Sequence, residues 1–200
     1  VSDVYDATDE KRNTTENQEG QIEIGVDVAR FGNDYSVITK RKGLCVLDIQ
    51  KVRGYNTQEV SGLVWDIAER NPSYAIKIDI GYNQGVYDLL NEWGANVVPV
   101  NFGGKAENSE VYSNCASEMM FNLPLKELYI PSELLSQTLV EDLAERQFFY
   151  NSKGQKQLEP KDNRSDNTKS CFKNRHNGRS PDEGDSLCLA FYKKRNDCVY

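Results

Sequence analysis

From residue 21 the chain alternates apolar and polar positions, with Ile22, Ile24, Val26 and Val28 set against Glu23, Gly25 and Asp27, the period of a strand. A turn at Gly32-Asn33-Asp34 and two more apolar runs, 35–39 and 44–52, joined at Lys42-Gly43, predict an antiparallel meander. Helical spacing then takes over. Asn56 is placed to cap, Glu59 stands three later, and Val60, Leu63, Val64, Ile67 and Ala68 share one face until Asn71-Pro72 stops the helix. Period two returns over 74–80, where Ile76, Ile78 and Ile80 oppose Ala75, Lys77 and Asp79. A helix over 85–93 and a strand over 96–101 follow. Further on, the pattern predicts a helix around 108–122, a short strand at 128–130 and a helix from 132 to about 145. It then predicts a hairpin pairing 147–150 with 155–158, a polar loop over 163–177 and a last helix from Ser180 to about 194. Three antiparallel strands followed by alternating helix and strand predict an α/β fold, a mixed sheet with helices on both faces. Residues 1–20 read as a short polar helix and a linker with nothing apolar to anchor them, so the domain is expected to span 21–200. Trp65 and Trp93 fall on apolar helix stripes and are expected in the core.

Composition narrows the class. The 200 residues are 38% apolar and 28% charged, enough for one sizeable core. Mean hydropathy is −0.68, and no stretch approaches the roughly 20 apolar residues of a membrane helix. Five widely spread cysteines form no CxxC pair and there is one histidine, which argues against a disulfide framework or structural zinc and for a reducing, cytosolic setting. The chain opens on Val with no charged-then-apolar leader, as expected of a piece of a longer, unexported protein. A net charge of −7 argues against nucleic acid only on average: residues 153–179 hold eight Lys and Arg against three acids. Such a basic strip fits a phosphate backbone as well as it fits a solvated loop.

The positions that can carry chemistry are acidic. Asp27 and Asp79 each end an apolar strand just before a glycine-bearing loop, the place where open α/β sheets bind ligands. Each can also simply cap its loop. In Ser180-Pro181-Asp182-Glu183-Gly184-Asp185, Ser180 at the cap, Pro181 at the first helical position and Glu183 three after the cap form a helix start. Acids favour such a start for dipole reasons, which accounts for Asp182 and Glu183 better than for Asp185. Asp182 and Asp185 stand three apart and share a helix face. Two strand-end carboxylates facing two helix carboxylates make an all-oxygen site, suited to Mg²⁺ or Mn²⁺.

The order of these signals, "GVDVARFGNDYSV", "IDIGYNQGVYDLL", "LEPKD" and "GRSPDEGDSLCLAFY", resembles the C-terminal nuclease domain of tailed-phage terminase large subunits over roughly 21–194. The resemblance implies a ribonuclease H-like fold and a metal-dependent DNA endonuclease that cuts concatemeric viral DNA during genome packaging. It implies catalytic roles for Asp27, Asp79 and Asp185, and two bound Mg²⁺ or Mn²⁺ ions held by Asp27, Asp79, Asp182 and Asp185, with Asp34 a secondary candidate. It also implies double-stranded DNA as partner, portal and small terminase subunit as partners of the full-length protein, and work in the host cytoplasm at the procapsid portal. Residues 1–20 would be the tail of a connection from an ATPase half, since no GxxxxGK[ST] occurs here. The polar stretch 163–177 and Gly184 depart from what a regular approach to Asp182 would need.

Lys153, Lys156, Lys161, Arg164, Arg175 and Arg179 are the candidate phosphate contacts, Lys169 lies in the same strip, and none is expected to touch a cation site. His176 is expected at the surface. Arg30 is placed either to orient a phosphate or to pair with Asp34. Two rival classes fit part of the pattern. Actin- or sugar-kinase-like ATP-binding domains also use Asp and Gly turns after strands, and an idle DNA- or partner-docking module would keep the fold without the chemistry.

Overall fold

Strand β1 (Ile22–Asp27) sits at the centre of a five-stranded sheet of order β3-β2-β1-β4-β5. β2 (Ser36–Lys42) and β3 (Cys45–Val52) continue it antiparallel on one side, and β4 (Tyr74–Asp79) and β5 (Val97–Val100) lie parallel on the other. The computed structural model describes residues 2–29, 34–70, 74–81, 84–162 and 171–193. Between β3 and β5 run α2 (Thr57–Glu69) and α3 (Gln84–Glu92), after an N-terminal turn of helix, α1 (Ser2–Asp6). Beyond β5 come α4 (Cys115–Phe121), α5 (Gln137–Ala144), the hairpin β6 (Phe148–Tyr150) and β7 (Lys156–Leu158), α6 (Phe172–Arg175) and α7 (Asp182–Phe191).

The period-two alternation splits the sheet into two faces. Ile24, Val26, Ile38, Ile76 and Ile78 pack with Val60, Val64, Ile67, Val86 and Leu90 of α2 and α3. The other face takes α7, with α4 and α5 against it, in a second core built on Leu187, Leu189, Leu139, Met119 and Leu128. Helices therefore cover both faces, as the pattern predicts. Gly25 makes the α7 contact: a Cβ there would overlap the Ser186 carbonyl and the Ala190 nitrogen. In that close approach the Ser186 hydroxyl donates to the Gly25 carbonyl at 3.0 Å and lies 2.9 Å from Thr39 Oγ1. Glu23, Arg41 and Lys77 share this buried face; Lys77 Nζ lies 2.6 Å from Glu23 and Arg41 Nε donates to the Ala190 carbonyl at 2.6 Å.

Several expected elements differ for local reasons. The helix around 108–122 shortens to α4 because Asn114 caps it, accepting from the Ser117 amide at 2.9 Å, while Glu118 accepts from the Glu107 and Asn108 amides and holds that stretch in turns. Ser136 caps α5 in the same way, so residues 132–145 divide into a 3₁₀ turn (Ser132–Leu134) and α5. Residues 128–130 pair only through a bridge between Cys45 and Tyr129. Residues 2–20, expected to be unanchored, are tied to the domain: Val4 and Ala7 are buried, and Arg12 donates to the Leu125 and Leu128 carbonyls at 3.0 and 3.3 Å. Within the expected loop 163–177, Phe172 is fully buried and seeds α6, while 163–170 lie outside the described residues. Trp93 is 40% exposed, set edge-on to a partly buried Trp65, so this pair borders the core. The capping box of α2 forms as read. The start of α7 does not: Ser180 makes no cap, and the helix opens at Asp182 behind Pro181 without a side-chain capping bond of its own.

Candidate active site

The parallel register of β1 and β4 aligns Gly25 with Lys77 and Val26 with Ile78, which brings Asp27 and Asp79 to neighbouring strand ends on the α7 face. α7 meets that face along Gly25, and its first turn carries Asp182 and Asp185. Asp27, Asp182 and Asp185 are all buried, at 7%, 8% and 4% exposure. The N-terminal turn of α7 is held from outside the helix. Asp142 of α5, itself fully buried, accepts from the Gly184 amide at 3.0 Å and pairs with Arg179. A Cβ at Gly184 would stand 2.8 Å from Asp142 Cβ, so the glycine permits this contact, which accounts for a weak helix former in the first turn. Glu183 reaches the other way, accepting from Ser136 at 2.7 Å and from Thr138, with Lys51 3.1 Å distant. Both contacts lock the carboxylate-bearing helix to the start and middle of α5.

Asp79 accepts two backbone bonds, from the Gly81 and Phe102 amides, each at 3.1 Å. Asp182 accepts from the Tyr35 amide at 3.2 Å. Asp27 and Asp185 share Lys161, whose ammonium lies 2.5 Å from Asp185 Oδ2 and 4.0 Å from Asp27 Oδ2. Arg146 approaches the other oxygen of Asp185 at 3.4 Å. Asp34 lies near Asp182 but is paired with Lys173 at 2.8 Å.

Electrostatics follow from crowding. Burial pushes the Asp27 carboxyl well above the usual carboxylate range; Lys161 opposes this, and the charges of Asp182, Asp185 and Asp79 add to it. Burial likewise raises Asp79, against its two backbone donors, and brings Asp182 up to about 6. Burial alone would lower the Lys161 ammonium, but Asp185 and Asp27 more than offset it and its pKa rises. A carboxyl whose folded pKa is raised holds its proton more tightly folded than unfolded, so its stabilising contribution is lost as pH rises through the folded value. Metal-free protein is therefore expected to lose thermal stability between about pH 5 and about pH 7.5, with Asp142, raised by burial to about 7, acting in the same sense. Divalent cation affinity should rise over the same window, because ligand carboxylates must be ionised. Melting curves in chelator and calorimetric Mn²⁺ titrations at both ends of the window check this. A metal-free melting temperature that rises instead, with unchanged Mn²⁺ affinity, would contradict it.

The donor set is all oxygen, which suits a hard divalent cation. Among the described residues, however, no three acidic, cysteine or histidine side chains already stand as a ready cation cage. The ammonium of Lys161 lies between Asp27 and Asp185, a cation where cations are wanted, so an ion entering between them must displace it.

The candidate phosphate contacts are distributed differently from an outward-facing strip. Lys161 points into the carboxylates, correcting the expectation that it stays clear of a cation site. Arg175 is paired with Glu159, and Arg179 with Asp142 and Glu141. Lys153 is exposed on the hairpin turn, Lys156 lies beside it over the Phe121 ring at 4.8 Å, and Arg164, Lys169 and Arg30 lie outside the described residues. His176, expected at the surface, is 8% exposed by its side chain, stacks on Phe172 at 4.1 Å and stands 3.5 Å from both Glu141 and Glu145. No pattern in the sequence singles out Arg146. The signal for Lys161 was present in "LEPKD", but its spacing gives no sign that it turns inward.

A mixed five-stranded sheet with carboxylates at adjacent strand ends and an acidic helix closing over them is a ribonuclease H-like fold. More particularly, the chain has the fold of phage terminase nuclease domains. It superposes on the nuclease domain of the large terminase subunit gp2 of bacterial virus Sf6 with a TM-score of 0.79, 16% identity and 96% of each chain covered. A lysine-to-alanine mutant of that domain with manganese gives 0.76 at 15% identity, over 96% of this chain and 97% of that one. The large terminase nuclease of thermophilic phage G20c with bound magnesium gives 0.58 at 16% identity, over 85% and 79%. No protein-family model matches the sequence, and no curated protein matches it. No helix among the described residues is long and apolar enough to cross a membrane.

Proposed function

We propose that this chain is the nuclease domain of a phage large terminase subunit, a divalent-metal-dependent endonuclease that cuts concatemeric viral DNA during genome packaging. The observation that carries the reading is the meeting of Asp27, Asp79, Asp182 and Asp185 around one lysine, on a fold shared with terminase nucleases studied with manganese and magnesium. Asp27 and Asp79, with Asp185 and Asp182, would hold two Mg²⁺ or Mn²⁺ ions. Bound there, such ions would supply an activated water and neutralise charge on the departing oxygen, so that no side-chain nucleophile would be needed.

The chain's own groups do the rest. The Gly81 and Phe102 amides orient Asp79, and the Tyr35 amide orients Asp182. Lys161 neutralises Asp27 and Asp185 until cations replace it, and being one-third exposed it can swing toward a phosphate when it leaves. Lys153 and Lys156 on the hairpin would supply sequence-independent phosphate contacts. The partner is duplex DNA; portal and small terminase subunit would engage the full-length protein in the host cytoplasm, with residues 1–20 leading from its ATPase half.

A plasmid-nicking assay tests the reading. Mn²⁺ or Mg²⁺ is expected to support cleavage with little sequence preference, and Ca²⁺ to bind without turnover. Efficient cleavage in excess chelator, or none with any divalent ion, would overturn it.

A further inference from the structure

We propose that Arg146 is a positioning residue that fixes Asp185 through Oδ1 and so leaves Oδ2 as the oxygen offered to a divalent cation; this rests on the metal-site reading above. Asp185 faces two cations of different character. Lys161 holds Oδ2 with a side chain one-third exposed, on a stem that can move away. Arg146 holds Oδ1 from a side chain only 4% exposed. It lies two residues past the end of α5, almost wholly out of solvent, with its guanidinium 5.7 Å from the centroid of the Phe172 ring.

The cost of this placement argues for a use. The Arg146 Nε is buried and makes no hydrogen bond among the described residues, while Nη1 reaches Asp185 Oδ1 at 3.4 Å. A buried, imperfectly satisfied arginine is poor as a stabiliser. Arg175 and Arg179 also lie over Phe172, at 5.8 and 5.2 Å, yet pair with Glu159 and with Asp142 and Glu141. Of these three arginines, Arg146 is the one paired with a carboxylate of the cluster. Groups that orient a metal ligand from behind are worth about ten- to a hundredfold in metal affinity.

The sign of the effect separates positioning from charge. Removing a positive group beside a cation site should raise cation affinity if charge alone mattered; losing the orientation of Asp185 should lower it. The test is calorimetric Mn²⁺ binding without DNA in a Lys161→Ala parent, which lacks the competing ammonium. Arg146→Met is expected to weaken Mn²⁺ binding about ten- to a hundredfold, and Arg146→Lys to fall between it and the parent. Arg175→Lys, which disturbs the same ring without touching Asp185, should bind as the parent does. Unchanged or tighter binding by Arg146→Met would overturn the proposal, as would equal weakening by Arg175→Lys. Should Arg146→Met fail to fold by circular dichroism, Arg146→Lys decides: binding equal to the parent overturns it. A parent that binds no Mn²⁺ would overturn the metal reading itself, whereas a binding parent with indifferent Arg146 variants overturns the role of Arg146 alone.

Discussion

Replacing Asp27 by Ala is expected to lower DNA cleavage by about three orders of magnitude or more, while the metal-free protein stays as stable as its parent or becomes more so. The two effects share one cause. Asp27 is buried beside Asp182, Asp185 and Asp79, so that in the absence of cations burial and like charges disfavour its ionised form, with a 4.0 Å contact to Lys161 as partial relief. A group that lowers stability in order to be ready for a ligand is typical of functional sites, and its removal tends to stabilise. Nicking assays with Mn²⁺ and melting curves in chelator, run on the same preparations, check both halves. A large loss of stability with the activity retained would instead make Asp27 a structural cap for its loop.

Gly25→Ala is expected to cost about 3 kcal/mol or more. The added carbon would meet backbone atoms of α7, the Ser186 carbonyl and the Ala190 nitrogen, and backbone cannot rotate aside as a side chain can. The helix must shift, and the shift carries Asp182 and Asp185 away from Asp27 and Asp79 and breaks the bonds from Ser186 to Gly25 and Thr39. Stability by urea denaturation and Mn²⁺ affinity should therefore fall together. A variant as stable as the parent would mean that α7 does not rest on β1 as described.

Gly25 also marks what the sequence makes legible. Alternation over 22–28 and 74–80 identifies the two central strands, their faces and the strand-end position of Asp27 and Asp79, because a period of two is a local property. The capping box of α2 is equally local and forms as read. What is not legible depends on partners far along the chain. Asp142 supplies the bond that the start of α7 lacks, forty-two residues away in sequence, and nothing near Ser180 announces it. Val4 and Ala7 look unanchored because their partners are distant in sequence: α1 meets α5, and Ala7 is buried in a cluster with Leu128 and Ile130. His176 and Arg179 read as solvent-facing in a polar stretch, yet Phe172 draws that stretch into the core and acids of α5 pair with them. Lys161 and Arg146 show the same limit at the site. Their charge is visible in the sequence; that both point at Asp185 is set by where the β6–β7 hairpin begins and ends, Arg146 just before it and Lys161 just after.

If the carboxylates at the ends of β1 and β4 and on α7 form a divalent cation site, crystals of this protein soaked in Mn²⁺ should show the metal among them by anomalous diffraction. Two peaks about 3.5–4 Å apart are expected, bounded by Asp27, Asp79 and Asp185, with the Lys161 ammonium displaced from its place between Asp27 and Asp185. Lys161 unmoved at those carboxylates in Mn²⁺-saturated crystals, with anomalous density elsewhere or nowhere, would contradict it.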